Sequence, residues 1–278
     1  MPAGFEEPQY DMDHIQNSSK VLLVRHANTL FNLAYVKMLH EKGFGKEVCE
    51  FLQDESYRDT PLSEFGIEQC NYASKYANQL DIDLVLISPM RRTLQTAHYL
   101  LKLHPQKEDI KYVVHPGFRE LLYGYSEITE NWEHKLNNEY KHYFPNLDTS
   151  MMVNQDGTIN ELFFCQDMQV DLTKQFVNKS QEEIENIIMA YAKKRFPQSP
   201  EELDSAYDRV LSMKRYVRDY IQTRCSKSSQ KKVLIISHSN TLRFWIGDWS
   251  SMSRPYQKFP EDIYWPRNCE FFPDPAFA

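Results

Sequence analysis

Four short apolar runs, separated by segments of helical spacing, constrain this chain more than any other feature. They are VLLV (21–24), DLVLIS (83–88), YVVH (112–115) and KKVLIIS (231–237). Each has the length of a strand and is apolar almost throughout, the pattern of strands buried on both faces. Between them lie stretches that read as helices. One over 31–53 is broken at Gly43 and Gly45, and one from about Ser63 to Gln79 carries Phe65, Ile67, Tyr72 and Tyr76, with Leu80 just beyond. MRRTLQTAHYLLKL follows the second run directly as a helix, NTLRFWIGDW turns back after the fourth, and CEFF can add an edge strand. Strands alternating with helices predict an α/β fold: a mainly parallel sheet flanked by helices on both faces.

The rhythm changes between about 125 and 200, where the chain is aromatic and Asn-rich with NQDGT as a turn, so this segment reads as a helical and irregular insertion capping one rim of the sheet. Two helices follow its irregular part. Ser180 and Glu183 form a capping box ahead of Ile184, Ile187, Ile188 and Tyr191. Ser199, Pro200 and Glu202 then mark the start of a helix with Leu203, Tyr207, Val210, Val217 and Ile221 as its apolar stripe. Residues 1–19 read as a polar arm, leaving 20–278 as one domain.

Composition narrows the partners. With 278 residues, 41% of them hydrophobic, the chain can bury one large core. A formal net charge of −7 argues against a general nucleic-acid or membrane-surface binder, so any anion must be captured locally. Cys49, Cys70, Cys165, Cys225 and Cys269 form no C-x-x-C pair, which fits free thiols in a reducing compartment. With no apolar run of signal-peptide or membrane-spanning length, the cytoplasm is the expected location. Oligomeric state leaves no mark.

In an open α/β sheet, ligands bind beyond the carboxyl ends of the strands. Each of those ends here carries polar chemistry. The first run ends at Arg25 and His26, the second leads into SPMRRT with Arg91 and Arg92, the third into FRELLYG with Arg119 and Glu120, and the fourth stops at His238. Guanidinium groups match phosphate oxygens bidentately, a neutral imidazole can attack phosphorus, and a carboxylic acid can protonate the departing oxygen. Arg25 and Arg92 therefore suit a clamp, His26 a nucleophile and Glu120 an acid. Any one of these residues alone is weak testimony; Arg91 and Arg119 read as surface ion pairs. His14, His40, His98, His104, His115, His134 and His142 lack metal-ligand spacing, and no metal or cofactor is expected.

These blocks resemble the histidine phosphatase superfamily, the phosphoglycerate mutase-like group with an R-H-G signature. RHANTLFN is similar to its R-H-G-E-x-x-x-N, giving Arg25, His26 and Asn32, with Ala27 in place of the glycine and Asn28 in place of the glutamate. DTPLSEFGIEQ resembles D-x-P-L-T-x-x-G-x-x-Q, SPMRRTLQTA resembles the motif that places the clamp on Arg92, FRELLYG the one that places the acid on Glu120, and ISHSNTLR the second-histidine motif, with Ser239 where glycine often stands. The resemblance implies catalysis by His26, Glu120, His238, Arg25 and Arg92, and substrate binding by Arg25, Asn32, Arg92, His238 and Ser239. It also implies metal-independent hydrolysis of a phosphomonoester through a phosphohistidine, on a small phosphorylated substrate or a phosphoprotein. Two alternatives stand beside it: phosphoglycerate mutase-type transfer, and a catalytically weak phospho-ligand-binding protein. A pure binder needs neither nucleophile nor acid, and the segment typical of mutases after the acid motif is not evident. The walls that select the substrate are expected in the 125–200 insertion.

Overall fold

The computed structural model describes residues 10–157, 159–163, 175–176, 178–195, 201–224, 230–260 and 262–277. All four apolar runs are strands. With two short additions they form one six-stranded sheet: β1 (Val21–Arg25), β2 (Ile82–Ile87), β3 (Lys111–Val114), β4 (Leu147–Asp148), β5 (Lys232–Ser237) and β6 (Phe271–Pro273), in the order β4-β3-β2-β5-β1-β6. Every pairing is parallel except that of β6 with β1.

The central strands are apolar throughout because both faces are covered. Leu22, Val24, Val85, Ile87, Leu234 and Ile236 point into one core, while Val21, Leu23, Leu84, Leu86, Val233 and Ile235 point into the other, as a two-residue period requires. The first core is closed by helices Glu64–Ala77 and Arg91–Leu101, through Cys70, Ala73, Leu94, Ala97 and Leu100. The second is closed by Leu203–Arg224 and Ser239–Ile246, through Val210, Met213, Val217, Leu242 and Trp245.

Local signals place most helix ends. Gly43, at φ +72°, ends the helix Leu30–Lys42 in a conformation that disfavours a side chain, and a second helix runs Lys46–Leu52. Ser180 and Glu183 bond reciprocally at the start of Gln181–Arg195. In the NQDGT turn Gly157, at φ +81°, donates to the Asn154 carbonyl.

Several expectations are revised. Within the polar arm, Met12–Ser18 is helical, capped by Asp11, and buries Ile15 in the first core. The helix expected from Pro200 begins at Leu203; Ser199 and Pro200 lie outside the described residues, and the Glu202 carbonyl accepts the first helical bond from Ala206. CEFF is strand only from Phe271, because Cys269 at φ +57° turns the chain first. β4 was not anticipated, since two edge residues carry no periodic signal. Cys49, Cys70 and Cys269 are free thiols; Cys165 and Cys225 lie outside the described residues.

In the 125–200 segment, Tyr140 and Phe144 are buried in the first core and Trp132 and Tyr143 pack against it. The segment is anchored by Asp59. Its carboxylate accepts from the backbone N–H of Arg91 and Glu130 and pairs with the fully buried Lys135. Burial alone would raise the Asp59 carboxyl, but Lys135 and these N–H groups outweigh it and hold it below its ordinary range.

Candidate active site

The ends of β2, β5 and β1 lie side by side, and the residues that follow them converge. His26 continues β1, its N–H bonding the Ser237 carbonyl of β5. The loop after it is pinned from outside: the Ala27 N–H donates to Thr96 Oγ1, the Asn28 N–H to Gln69 Oε1, and Ser63 to the Asn28 carbonyl. Gly66 passes so close that a Cβ there would stand 2.0 Å from the Asn28 oxygen, so only glycine lets the helix Glu64–Ala77 seat against the loop.

His26 is held as a neutral imidazole with one tautomer. Its Nδ1 lies 2.8 Å from the Ala27 carbonyl, which can only accept, so Nδ1 carries the proton and Nε2 keeps its lone pair. Burial, followed by the charges of Arg92 and Arg25, pushes the His26 pKa well below 6.5. His238 lies 5.2 Å away, centroid to centroid. Its Nδ1 accepts from Arg92 Nε at 3.2 Å, so its proton sits on Nε2, 2.8 Å from Ser88 Oγ. Burial and the charge of Arg92 lower its pKa as well. His238 is fully buried beside Arg92, from whose Nε it accepts, and is not among the residues that line the cleft.

Arg92 opens the helix after β2. Beyond His238 it donates to the Ser126 carbonyl at 2.7 Å and to Glu127 Oε2 at 2.5 Å, which leaves two of its five N–H groups uncommitted. Arg25 donates one N–H to the Pro266 carbonyl, and its buried Nε finds no partner among the described residues. Thr60 Oγ1 is also buried and unpartnered there. Unsatisfied donors of this kind at one end of a cleft are what an anion would complete.

Glu120 is positioned by a buried brace. Arg119, expected at the surface, is 2% exposed and grips Glu201 with two bonds of 2.6 and 2.8 Å, while Arg209 donates to the carbonyls of Gly117 and Arg119. Against the effect of burial, Arg119 and Arg209 hold Glu201 down at about 2. The Glu120 carboxylate then receives the N–H groups of Leu121, Asn240 and Thr241 and the Ser239 hydroxyl. Arg91 pairs with Glu139, as expected.

Beside these residues opens a cleft of about 510 Å³, lined by some of them. Of the proposed site residues, Arg25, His26, Asn32, Arg92, Glu120 and Ser239 face it. Asn32 also closes the helix cap with Thr29. Of the 125–200 segment, only Ser126 and Glu127 are among its described lining residues; the other walls come from 28–60, Tyr123, Asn240 and 265–268. Glu127 escaped the sequence reading because one glutamate after GYS carries no signal of its own. Burial raises its pKa and Arg92 opposes the rise, while the nearby Glu120 adds to it. Asn268, which donates to the His26 carbonyl at 2.5 Å, was missed because it arrives from 242 residues away. Among the described residues no three His, Cys, Asp or Glu side chains group as metal ligands, and no helix is long and apolar enough to cross a membrane.

A neutral imidazole, two guanidiniums and two carboxyl groups thus share the lining of one cleft. The family model of the histidine phosphatase superfamily (branch 1) matches residues 21–163, and the chain belongs to that superfamily. Among curated relatives, a fructose-2,6-bisphosphatase TIGAR of Xenopus laevis is 30% identical over 105 residues, 38% of this chain and 32% of that protein. The matched part thus spans about a third of that relative's length. A 2,3-bisphosphoglycerate-dependent phosphoglycerate mutase of Chlamydia pneumoniae is 26% identical over 197 residues, 70% of this chain and 75% of that protein. Among solved structures, the ecdysone phosphate phosphatase of Bombix mori is 15% identical with a TM-score of 0.47, covering 90% of this chain and 86% of that one. Two of these three proteins carry the name of a phosphatase and one that of a mutase.

Proposed function

We propose that the chain hydrolyses a phosphomonoester through a phosphohistidine on His26, without a metal. The observation that carries this reading is the 2.8 Å bond from His26 Nδ1 to the Ala27 carbonyl, which leaves Nε2 as a free nucleophile between Arg25 and Arg92. Nε2 attacks phosphorus and the ester P–O bond breaks. The departing oxygen takes a proton from a carboxyl group, and the two guanidiniums spread the charge on the equatorial oxygens. Water then attacks the phosphohistidine, the N–P bond breaks, and the same carboxylate takes the water's proton.

Glu120 is assigned as that carboxyl group, because it faces the cleft from the end of a braced loop. A second assignment has its own support: both Glu120 oxygens already receive N–H donors, whereas Glu127 is the lining carboxyl whose pKa burial raises. Alkyl and aryl esters separate the two. Alkoxide leaving groups need the acid and aryloxides hardly do, so the acid is whichever of Glu120→Gln and Glu127→Gln loses alkyl turnover selectively.

The reading is tested by rapid quench at alkaline pH after mixing with an aryl phosphate in chelator. A phosphoryl group on His26 is expected. Activity that vanishes in chelator and returns with magnesium or zinc would defeat the metal-free mechanism, and a label on His238 would defeat the assignment.

A further inference from the structure

Among the described residues the acidic and basic side chains that line the cleft are Arg25, Arg92, Glu120 and Glu127, with His26 neutral. Both arginines are needed at the phosphoryl group. No lysine lines the cleft among the described residues. Arg243 donates to Asn240 Oδ1 at 3.4 Å, lies over the rings of Phe259 and Trp265, 3.9 and 4.3 Å from their centroids, and is not among the lining residues. A second phosphate or a carboxylate on the substrate would meet no third cation among the described lining residues, and two carboxyl groups.

Neutral Asn, Thr and Ser side chains surround the phosphoryl end of the cleft, and the remainder of the described wall is apolar or aromatic: Phe31, Tyr35, Val36, Leu52, Tyr123 and Trp265. Exposure rises from 7% at Phe31 to 50% at Trp265 and 64% at Val36, so the apolar surface continues from the interior out to the mouth. This wall is rigidly backed: Phe31 stacks on Tyr35 at 5.6 Å and packs on Phe51 at 5.3 Å, and Phe51 packs on Tyr57 at 4.7 Å. A polar substrate body would strip water from its hydroxyls against these rings, whereas an apolar body would gain from burial.

We infer that the substrate is a monoester carrying one phosphoryl group on an apolar or aromatic body, with no second anionic group; this rests on the phosphatase reading above. It separates this cleft from what the names of its curated relatives describe, a bisphosphate and a bisphosphoglycerate.

The test compares alkyl phosphates of similar leaving-group basicity: propyl, hexyl and 3-phenylpropyl phosphate, beside glucose 6-phosphate, 3-phosphoglycerate and fructose 1,6-bisphosphate. From the transfer free energy of a methylene, kcat/KM should rise about three- to fourfold for each buried CH₂, and 3-phenylpropyl phosphate should exceed propyl phosphate at least about tenfold. The two polyanions should do no better than propyl phosphate. Val36→Lys, at the exposed mouth, should raise kcat/KM for 3-phosphoglycerate severalfold in low salt and lower it for hexyl phosphate. A wild-type preference for either polyanion, or for glucose 6-phosphate over 3-phenylpropyl phosphate, overturns the inference while leaving the phosphatase reading intact. If no ester is hydrolysed, the phosphatase reading fails, and calorimetry with the corresponding phosphonates still decides the body preference: 3-phenylpropylphosphonate binding no tighter than propylphosphonate overturns it.

Discussion

At the inner end of the cleft, Arg25 and His26 hang from β1 and Arg92 from the first turn after β2, elements buried on both sides. At its mouth, Tyr35, Val36 and Trp265 come from one short helix and a C-terminal loop and stand partly in solvent. The contrast separates two tasks. Chemistry requires atoms fixed to a fraction of an ångström, which a packed sheet supplies; selection requires only a surface of suitable polarity, which loops and exposed helices can vary without disturbing the sheet. Substitutions at the inner end should therefore act on every substrate alike, and those at the mouth on some only.

The sharpest test of the inner end is His26→Ala. Turnover of all phosphomonoesters should fall by roughly 10⁴-fold or more, with no covalent label, while inorganic phosphate still binds because Arg25 and Arg92 remain. Residual activity within about tenfold of wild type would break the comparison, since the fixed nucleophile would then be dispensable.

Next come the supports. The acid variant, Glu120→Gln on the present assignment, should lose about 10²- to 10³-fold on alkyl phosphates and far less on aryl ones. His238→Ala removes the acceptor that fixes Arg92 Nε and should cost about 10- to 100-fold, chiefly in kcat, with the label still on His26. A label that moves, or an unchanged rate, would make His238 mere filling.

Protonation distinguishes the inner end in another way. His26 must be neutral to attack, and its pKa is pushed well below 6.5, so the acid-side fall in kcat/KM should not begin as pH drops from 7 to 6. The same shifts bear on stability. His98 and His115 are lowered to about 4, and His26 and His238 are lowered too. Below 6.5 the unfolded chain therefore binds protons that the folded one does not. Stability is full above 6.5 and falls as pH drops from there toward 4. Glu201 and Asp59, lowered carboxyls, contribute their own loss only below the ordinary carboxylate range. Urea melts at pH 7.5, 6.5 and 5.5 should show a declining midpoint; a flat or rising one would show that the imidazoles are not buried as neutral groups.

What the sequence disclosed follows the same division. The four apolar runs and the polar residues just beyond them were legible because a doubly buried strand writes a contiguous signal, and its end fixes where the next side chain goes. Arg119 was misplaced at the surface because its partner Glu201 lies 82 residues away, and no local pattern announces a buried pair. His238 was legible from the end of its strand, whereas its contact with Arg92 follows from the packing of β5 beside β2, which the sequence does not spell out. Trp265 and Asn268 belong to an irregular tail whose path over β1 is fixed by single bonds, such as the Cys269 N–H to the Arg25 carbonyl, and such bonds leave no trace in composition or spacing.

The smallest expected effect is at the mouth, and it discriminates best. Trp265 is half exposed and lies against the Arg243 guanidinium, so Trp265→Ala should fold normally. It removes one aromatic face from the wall, worth about 0.5–1.5 kcal/mol, and kcat/KM for 3-phenylpropyl phosphate should fall about 2- to 13-fold. Methyl phosphate, too short to reach the ring, should be unaffected. Arg243 would lose one of its two flanking rings and gain freedom to turn toward the cleft, so the variant should improve on 3-phosphoglycerate, an improvement that salt suppresses. A uniform loss on methyl and phenylpropyl phosphate would mean that Trp265 supports the fixed machinery through the neighbouring Pro266 carbonyl, which holds Arg25, and the division between inner end and mouth would have to be redrawn to include this tail.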